Sequence, residues 1–246
     1  MDGFATDLKR LIADRIRAAP DAVWTAVDFL DLGSRDVVDK TLQRLTHASY
    51  IRRLDRGLYD QPRHNQLTGQ LSVPDYRRVI EAVARRDQTR MLVDGMTAAN
   101  DLGLSDAVPG QIVVHTDARL RPIKLGKQTI VFRPTAPSKL FWADRPAMRV
   151  VQALHWLHAA LADPDARRRV LRRLRAILAD PDQGSVIAAD LIDGLPTLPT
   201  WMQNFVRELV ADHAADDQGA ADDDDDDHRA ARRTLRRGLR AQSVPT

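Results

Sequence analysis

Residues 25–62 constrain the fold of this chain more than any other stretch, because two helix signals and a hairpin signal follow one another directly. Thr25 and Asp28 form a capping-box pattern, which predicts that a short helix begins after Thr25 and extends to Gly33. Gly33 suits the left-handed conformation that ends a helix, and Ser34 is a good N-cap for another helix. We therefore expect two helices joined by a tight turn.

The second predicted helix runs from Arg35 to His47. Val38, Leu42 and Leu45 recur at the spacing of one helical face, so we expect this face to be buried. The opposite face is polar and consists of these residues: Asp36, Asp39, Lys40, Gln43 and His47.

A β-hairpin is predicted directly after this helix, because apolar residues alternate in Tyr50–Leu54 and Leu58–Asp60 around a turn at Asp55-Arg56-Gly57. Residues 35–63 contain seven basic residues and four aspartates, a net charge of +3 that lies mostly in the hairpin. A helix followed by a basic hairpin is typical of a winged helix-turn-helix, in which the helix enters a major groove and the hairpin contacts phosphates. The alternative is a small domain with a solvated basic edge.

An amphipathic helix is predicted from Asp7 to Ala18, ahead of these elements. Its apolar residues are expected to pack on the buried face of the second helix: Leu8, Leu11, Ile12 and Ile16. The predicted DNA-binding domain therefore spans residues 1–62, and the polar residues 63–73 are predicted to be a linker.

Residues 74–213 are predicted to form an α+β domain whose C-terminal part is helical. A small sheet with one short helix is predicted in it. The strands are Met91–Val93, Gln111–Thr116, Pro122–Leu125 and Gln128–Phe132, and the helix is Thr97–Leu102. Residues 214–246 contain six consecutive aspartates followed by six arginines, and we expect a disordered, charged tail there.

A predicted helix at Arg167–Leu178 carries six arginines around an apolar face. We expect this arginine-rich surface to bind an acidic partner through four side chains: Arg168, Arg169, Arg172 and Arg173. The acidic partner is either another protein or the chain's own Asp222–Asp227.

Composition excludes several classes of protein. A chain of 246 residues that is 43% hydrophobic is long enough for one large or two modest folded domains. Cysteine is absent, which excludes disulfides and thiolate metal sites and favours a reducing compartment. No secretory signal or membrane-spanning run is predicted, so we expect a cytoplasmic, nucleoid-associated protein that does not bind membranes.

Enzymatic activity is not predicted. The chain has no phosphate-binding glycine loop and no nucleophile elbow. Asp94, Asp101 and Asp106 are interpreted as turn-forming residues, and a catalytic role for them is the alternative. His155 and His158 are interpreted as partly buried packing residues, so we predict no metal site and no cofactor.

Two separated sets of residues carry a resemblance to a known family. The first set comprises Asp28-Phe29-Leu30-Asp31-Leu32-Gly33-Ser34-Arg35, Leu42-Gln43-Arg44-Leu45 and Ile51-Arg52-Arg53-Leu54-Asp55-Arg56-Gly57-Leu58-Tyr59. The second set comprises Ala98-Ala99-Asn100-Asp101-Leu102-Gly103-Leu104 and Val108-Pro109, and extends through His115-Thr116 to Phe132-Arg133. Over roughly residues 7–160 the chain resembles the AbiEi-type antitoxins of bacterial type IV toxin-antitoxin systems.

This resemblance implies a DNA-binding antitoxin that represses its own operon and counteracts a nucleotidyltransferase-like toxin. Because a lone winged helix reads only a short site, we expect the protein to bind operator DNA as a homodimer or cooperatively. The resemblance implies groove contacts by Arg35, Lys40, Gln43 and Arg44, and hairpin contacts by Arg52, Arg53 and Arg56. The family usually has a glycine where the recognition helix ends, whereas this chain has Ala48-Ser49-Tyr50. The alternative function is a stand-alone winged-helix regulator, or a protein-interaction module, without a toxin partner.

Overall fold

The protein is described by a computed structural model that covers residues 2–64, 69–107 and 109–211, with no description of the side chains of residues 2–6. The described chain has an α+β fold and forms two compact units. Among the described residues, unit 1 takes in those up to Asp101 and those in Ser105–Trp156, and unit 2 takes in Leu102–Leu104 and residues 157–211. The predicted domain boundaries at residues 62 and 74 stay predictions, and the predicted charged tail lies outside the described residues.

Unit 1 begins with helices and a three-stranded sheet. In chain order these elements are α1 (Asp2–Ala18), β1 (Val23–Trp24), a 3-10 helix (Ala26–Phe29), α2 (Arg35–His47), β2 (Arg52–Asp55) and β3 (Leu58–Asp60). The strand order is β1-β3-β2, and both pairings are antiparallel.

The buried face of α2 is the predicted one. Val38, Leu42 and Leu45 are at most 2% exposed and form one core with α1 and the 3-10 helix. The α1 residues in this core are Leu8, Ile12 and Ile16. The prediction that Leu11 also packs there is wrong, since Leu11 lies off the stripe that the other three share and is 40% exposed.

The helix predicted before Gly33 is shorter than expected and ends at Phe29 as a 3-10 helix. The Asp28 carboxylate accepts a hydrogen bond from the backbone N–H of Thr25 at 2.7 Å, as the capping pattern predicts. The Asp28 carbonyl accepts from the Arg15 guanidinium at 2.7 Å, so a contact from α1 occupies an oxygen that a longer helix would use. Gly33 does not take the expected left-handed conformation, and residues 30–33 form a longer turn.

The end of α2 fixes where the hairpin begins. Ser49 has a φ of 55°, in the left-handed region that favours glycine. The N–H of Tyr50 donates to the Leu45 carbonyl and the N–H of Ser49 donates to the Thr46 carbonyl, both at 3.0 Å, which is the Schellman pattern. Ser49 therefore takes the conformation for which a glycine is usual at this position.

We expect Ser49→Gly to stabilise the protein by about 0.5–1 kcal/mol, because glycine adopts a positive φ without the steric cost of a Cβ atom. Urea denaturation followed by circular dichroism measures this change. The matched control is Ala48→Gly, because Ala48 has a φ of −78° and gains no relief. The control is expected to destabilise, and equal effects of both substitutions would contradict the assignment.

The rest of unit 1 contains a four-stranded sheet and three helices. In chain order the elements are α3 (Tyr76–Asp87), β4 (Met91–Val93), α4 (Gly95–Asp101), β5 (Gln111–Thr116), β6 (Ile123–Leu125), β7 (Gln128–Pro134), a 3-10 helix (Pro137–Lys139) and α5 (Met148–Leu157). The strand order is β4-β5-β7-β6, in which β5 and β7 are parallel and the other pairs are antiparallel. The four predicted strands are confirmed, with β7 two residues longer than expected.

Helix α4 begins at Gly95 and not at Thr97 as predicted. The Asp94 carboxylate accepts a hydrogen bond from the Thr97 N–H at 3.2 Å, so Asp94 caps the helix and Thr97 lies buried inside it. A Cβ atom on Gly95 would lie 2.6 Å from the carbonyl oxygen of Gln152 on α5. Only glycine allows this close approach of α4 to α5.

Unit 2 is helical over its described residues. Its elements are a 3-10 helix (Ala160–Ala162), α6 (Pro164–Leu178), α7 (Gly184–Asp193), a 3-10 helix (Leu195–Thr197) and α8 (200–211). The sequence did not predict α7, which has apolar residues on both its buried and its exposed sides, including Val186 at 53% exposure. Among the helices of the described chain, none is long and apolar enough to cross a membrane.

Candidate nucleic-acid interface

The polar face of α2 is exposed to solvent along the whole helix. Its exposed residues include Arg35, Asp36, Asp39, Lys40, Gln43, Arg44 and His47. The side chains of Lys40, Gln43 and Arg44 make no hydrogen bond or ion pair with any residue that the structure describes. These three side chains therefore present available donors on a helix whose opposite face is anchored in the core.

Arg35 differs from these three residues because it is already paired. Its Nε donates to the Asp39 carboxylate at 2.9 Å, one helical turn further along α2, and both side chains are about half exposed. Exposed pairs at this spacing contribute little to stability, so a ligand phosphate can compete for Arg35.

Arg52 lies on the hairpin, but its guanidinium is held within the protein. Its Nε and Nη2 donate to the two carboxylate oxygens of Asp60 at 3.0 and 2.6 Å, and Nη2 also donates to the Ser72 carbonyl at 3.0 Å. Asp60 is only 5% exposed, and its hydrogen bond raises the pKa of Arg52. Arg52 therefore joins β2 to β3 and to residue 72. Its guanidinium is already bound within the protein and is not free to make the DNA contact that the sequence analysis predicted.

Arg53 and Arg56 are the exposed arginines of the hairpin. Successive strand residues point to opposite faces, so Arg53 lies on the face opposite Arg52. The Nε of Arg53 donates to the Asp55 carbonyl at 3.3 Å, whereas the side chain of Arg56 makes no hydrogen bond to another residue in the described part of the chain. The three arginines predicted to act together are thus divided between two environments.

Helix α3 holds the turn of this hairpin in place. The Nη1 of Arg86 donates to the Arg56 carbonyl at 2.6 Å. Arg85 contacts the opposite edge of the sheet, where it donates to the Val23 carbonyl on β1 and to the Asp28 carboxylate of the 3-10 helix, each at 3.0 Å. Sequence reasoning missed both arginines, because their partners are 30 or more residues away and no local pattern marks them.

Asp101 is the buried center of an ion cluster in unit 1. Its carboxylate is 2% exposed and accepts from Arg77 on α3 at 2.7 Å and from Arg149 on α5 at 3.0 Å. The hydroxyl of Tyr76 also donates to this carboxylate. Burial and this hydrogen bond raise the pKa of Tyr76. Both carboxylate oxygens are thus engaged by protein donors, which makes Asp101 a residue that joins α3, α4 and α5.

The four arginines predicted to bind a partner lie on α6 of unit 2. Arg168 is paired with Asp165, and the Nε of Arg173 donates to the Leu102 carbonyl at 2.8 Å. Arg169 and Arg172 are exposed and make no ion pair with residues inside the described ranges. Two of the four guanidinium groups are therefore fully available.

The two histidines of the sequence prediction are exposed, not partly buried. The ring of His158 stacks on Trp201 with 4.1 Å between ring centroids, which is a packing contact within unit 2. Within the described residues, no group of three or more histidine, aspartate or glutamate side chains is placed to hold a metal ion.

Comparison with known proteins gives one family. No curated protein matches the chain. The chain resembles the crystal structure of the RV2827C protein from Mycobacterium tuberculosis with a TM-score of 0.38 and 18% identity, over 84% of this chain and 77% of that chain. The model of the family described as "Family of unknown function (DUF6088)" matches residues 11–179, which is more than half of the sequence. The chain therefore belongs to the DUF6088 family.

Proposed function

We propose that residues 1–62 form a winged helix-turn-helix that binds double-stranded DNA, with α2 as the recognition helix and β2–β3 as the wing. The observation that carries the proposal is the exposed face of α2, on which Lys40, Gln43 and Arg44 have no partner in the described chain while the opposite face is buried. A rigidly held helix with free donors on one side is what reading of a major groove requires.

The residue types on α2 suit base recognition. Arginine and lysine donate to the O6 and N7 atoms of guanine, and glutamine pairs with the N6 and N7 positions of adenine. The two exposed wing arginines, Arg53 and Arg56, suit phosphate contacts, which supply affinity without sequence preference. Arg52 enters this proposal as the residue that holds the wing strands together, because its guanidinium is bound to Asp60.

We further propose that the protein is an antitoxin that represses its own operon in the cytoplasm and counteracts a nucleotidyltransferase-like toxin. The support is the resemblance to AbiEi-type antitoxins in two separated motifs, together with an arginine-rich surface on unit 2 that suits an acidic partner. Co-expression with an adjacent nucleotidyltransferase-like reading frame tests this function. We expect the intact chain to relieve the growth arrest that the toxin causes. If the arrest persists, the antitoxin function is contradicted and the alternative of a stand-alone regulator is favoured.

We expect the double substitution Arg53→Ala and Arg56→Ala to weaken binding to all DNA sequences by a similar factor. Each phosphate contact contributes about 0.9 to the slope of log affinity against log salt, so the slope should fall by about 2. Fluorescence anisotropy with the duplex upstream of the gene and with an unrelated duplex, between about 50 and 200 mM salt, measures this slope.

A matched control for the wing removes the same charge elsewhere in unit 1. Arg10 and Arg78 are exposed on α1 and α3, and each pairs only with a carboxylate on its own helix in the described chain. Arg10→Ala with Arg78→Ala is expected to leave the slope near its original value. An unchanged salt slope in the variant with Arg53→Ala and Arg56→Ala would show that the hairpin does not contact DNA.

A further inference from the structure

The exposed side of α6 is a basic surface, which we call the arginine face. It consists of Arg168, Arg169, Arg172 and Arg173, and the exposed Ala176 lies one turn further along the same side. These positions recur at spacings of three and four residues, so they lie along one side of the helix. Because Arg169 and Arg172 have no acidic partner within the described chain, the arginine face carries uncompensated positive charge.

The end of the described chain lies beside the start of this helix. Arg167, in the second turn of α6, forms an ion pair with Glu208 on α8, and its guanidinium carbon is 4.8 Å from the ring centroid of Phe205 on the same helix. The structure describes the chain to residue 211, one turn beyond Glu208. Residue 211 therefore lies near the first turns of α6, on the side of this helix that faces away from the arginine face, because Arg167 is roughly 170° around the helix from the center of that face.

The aspartate run Asp222–Asp227 is within reach of every arginine on this face. Eleven residue steps separate residue 211 from Asp222, and an extended chain spans about 3.3–3.6 Å per residue, or roughly 36–40 Å. Helix α6 has 15 residues and is about 22 Å long at 1.5 Å per residue. The connecting segment is thus longer than a path along the whole helix and halfway around it, which is roughly 30 Å for a helix about 10–12 Å in diameter.

The charges are complementary as well. Residues 212–246 contain nine aspartates and six arginines, so the arginines of this segment cannot neutralise all of its carboxylates. Carboxylates pair well with guanidinium groups, and a covalent connection gives the aspartates a high effective concentration at the arginine face. We propose that Asp222–Asp227 bind the arginine face of α6 within the same molecule. This proposal does not depend on DNA binding or on a toxin.

The absence of cysteine allows a direct test in the full-length chain. Ala176→Cys places one thiol on the same side of α6 as the arginine face, one turn beyond Arg172 and Arg173, and Asp224→Cys places the other in the aspartate run. With oxidised glutathione, we expect an intramolecular disulfide to form about tenfold faster than in a chain with Ser185→Cys and Asp224→Cys. Ser185 is the reference because it is exposed on α7 and is not one of the arginine-face positions on α6.

Further substitutions in the chain with Ala176→Cys and Asp224→Cys show whether the arginines bring the aspartate run close to α6. Arg169→Gln with Arg172→Gln is expected to slow disulfide formation about tenfold. Arg119→Gln with Arg207→Gln, which removes the same charge at exposed positions off the face, should leave the rate unchanged. Raising the salt from about 0.1 to 1 M shortens the Debye length from about 10 to 3 Å and should slow the reaction in the chain without arginine substitutions.

Three results would overturn the proposal. Equal rates at residues 176 and 185 would show that the aspartate run does not prefer this face. A rate that is insensitive both to the Arg169 and Arg172 substitutions and to salt would show that the arginines do not attract it. Disulfides formed only between two molecules would assign the arginine face to a second copy of the chain.

Discussion

Asp101→Asn is expected to lower the free energy of unfolding by about 3 kcal/mol, because it removes the charge that compensates Arg77 and Arg149. Breaking a buried ion pair by removing one partner typically costs about 3–5 kcal/mol. The lower end applies here, since the carboxylate is 2% exposed but the two arginine side chains are 39% and 34% exposed. Urea denaturation followed by circular dichroism measures the change.

Asp106→Asn is the matched control for this substitution. Asp106 is exposed a few residues further along the chain, so its replacement is expected to change stability by less than about 0.5 kcal/mol. A similarly small effect of Asp101→Asn would show that the cluster does not hold α3, α4 and α5 together.

The triple substitution Lys40→Ala, Gln43→Ala and Arg44→Ala is expected to reduce affinity for the upstream DNA by about 100- to 1,000-fold. The estimate follows from about 1–3 kcal/mol of discrimination for each well-formed base contact, with incomplete additivity. Affinity for an unrelated duplex should fall by only about tenfold, because that complex loses charge and no base contact. The buried face of α2 is untouched, so circular dichroism should show the same fold.

The control for the triple variant is Lys9→Ala with Arg10→Ala, which removes one lysine and one arginine from the exposed side of α1. We expect it to leave the preference for the upstream DNA intact. If the triple variant loses affinity for both duplexes by the same factor, the recognition role of α2 is contradicted. The three residues would then contact phosphates and not bases.

The core of the N-terminal region was predictable because its signals are local. Helix α2 has an N-cap at Ser34, a 13-residue amphipathic pattern and a turn sequence directly after it, and each signal agrees with the others. The length of the 3-10 helix that precedes α2 was not predictable. Arg15, on another helix, binds the carbonyl of Asp28, and a contact of this kind leaves no trace in the local sequence.

The candidate interface was predictable only in part. Exposure of Lys40, Gln43 and Arg44 follows from helical periodicity alone. The pairing of Arg52 with Asp60 had an available signal, because the two residues face each other in the hairpin register and carry opposite charges. The contacts of Asp101 span 24 and 48 residues and join separate helices, so only the folded chain brings them together.

Arg86, near the end of α3, gives the hairpin a second attachment, which limits how the hairpin can move. The turn that bears Arg56 cannot shift away from α3 unless the hydrogen bond from Arg86 breaks. Helix α3 is itself joined to α4 and α5 through Asp101. A molecule that binds α3 and tilts it would therefore move the tip of the hairpin as well. It would do so without contacting α2, the helix that we propose enters the major groove.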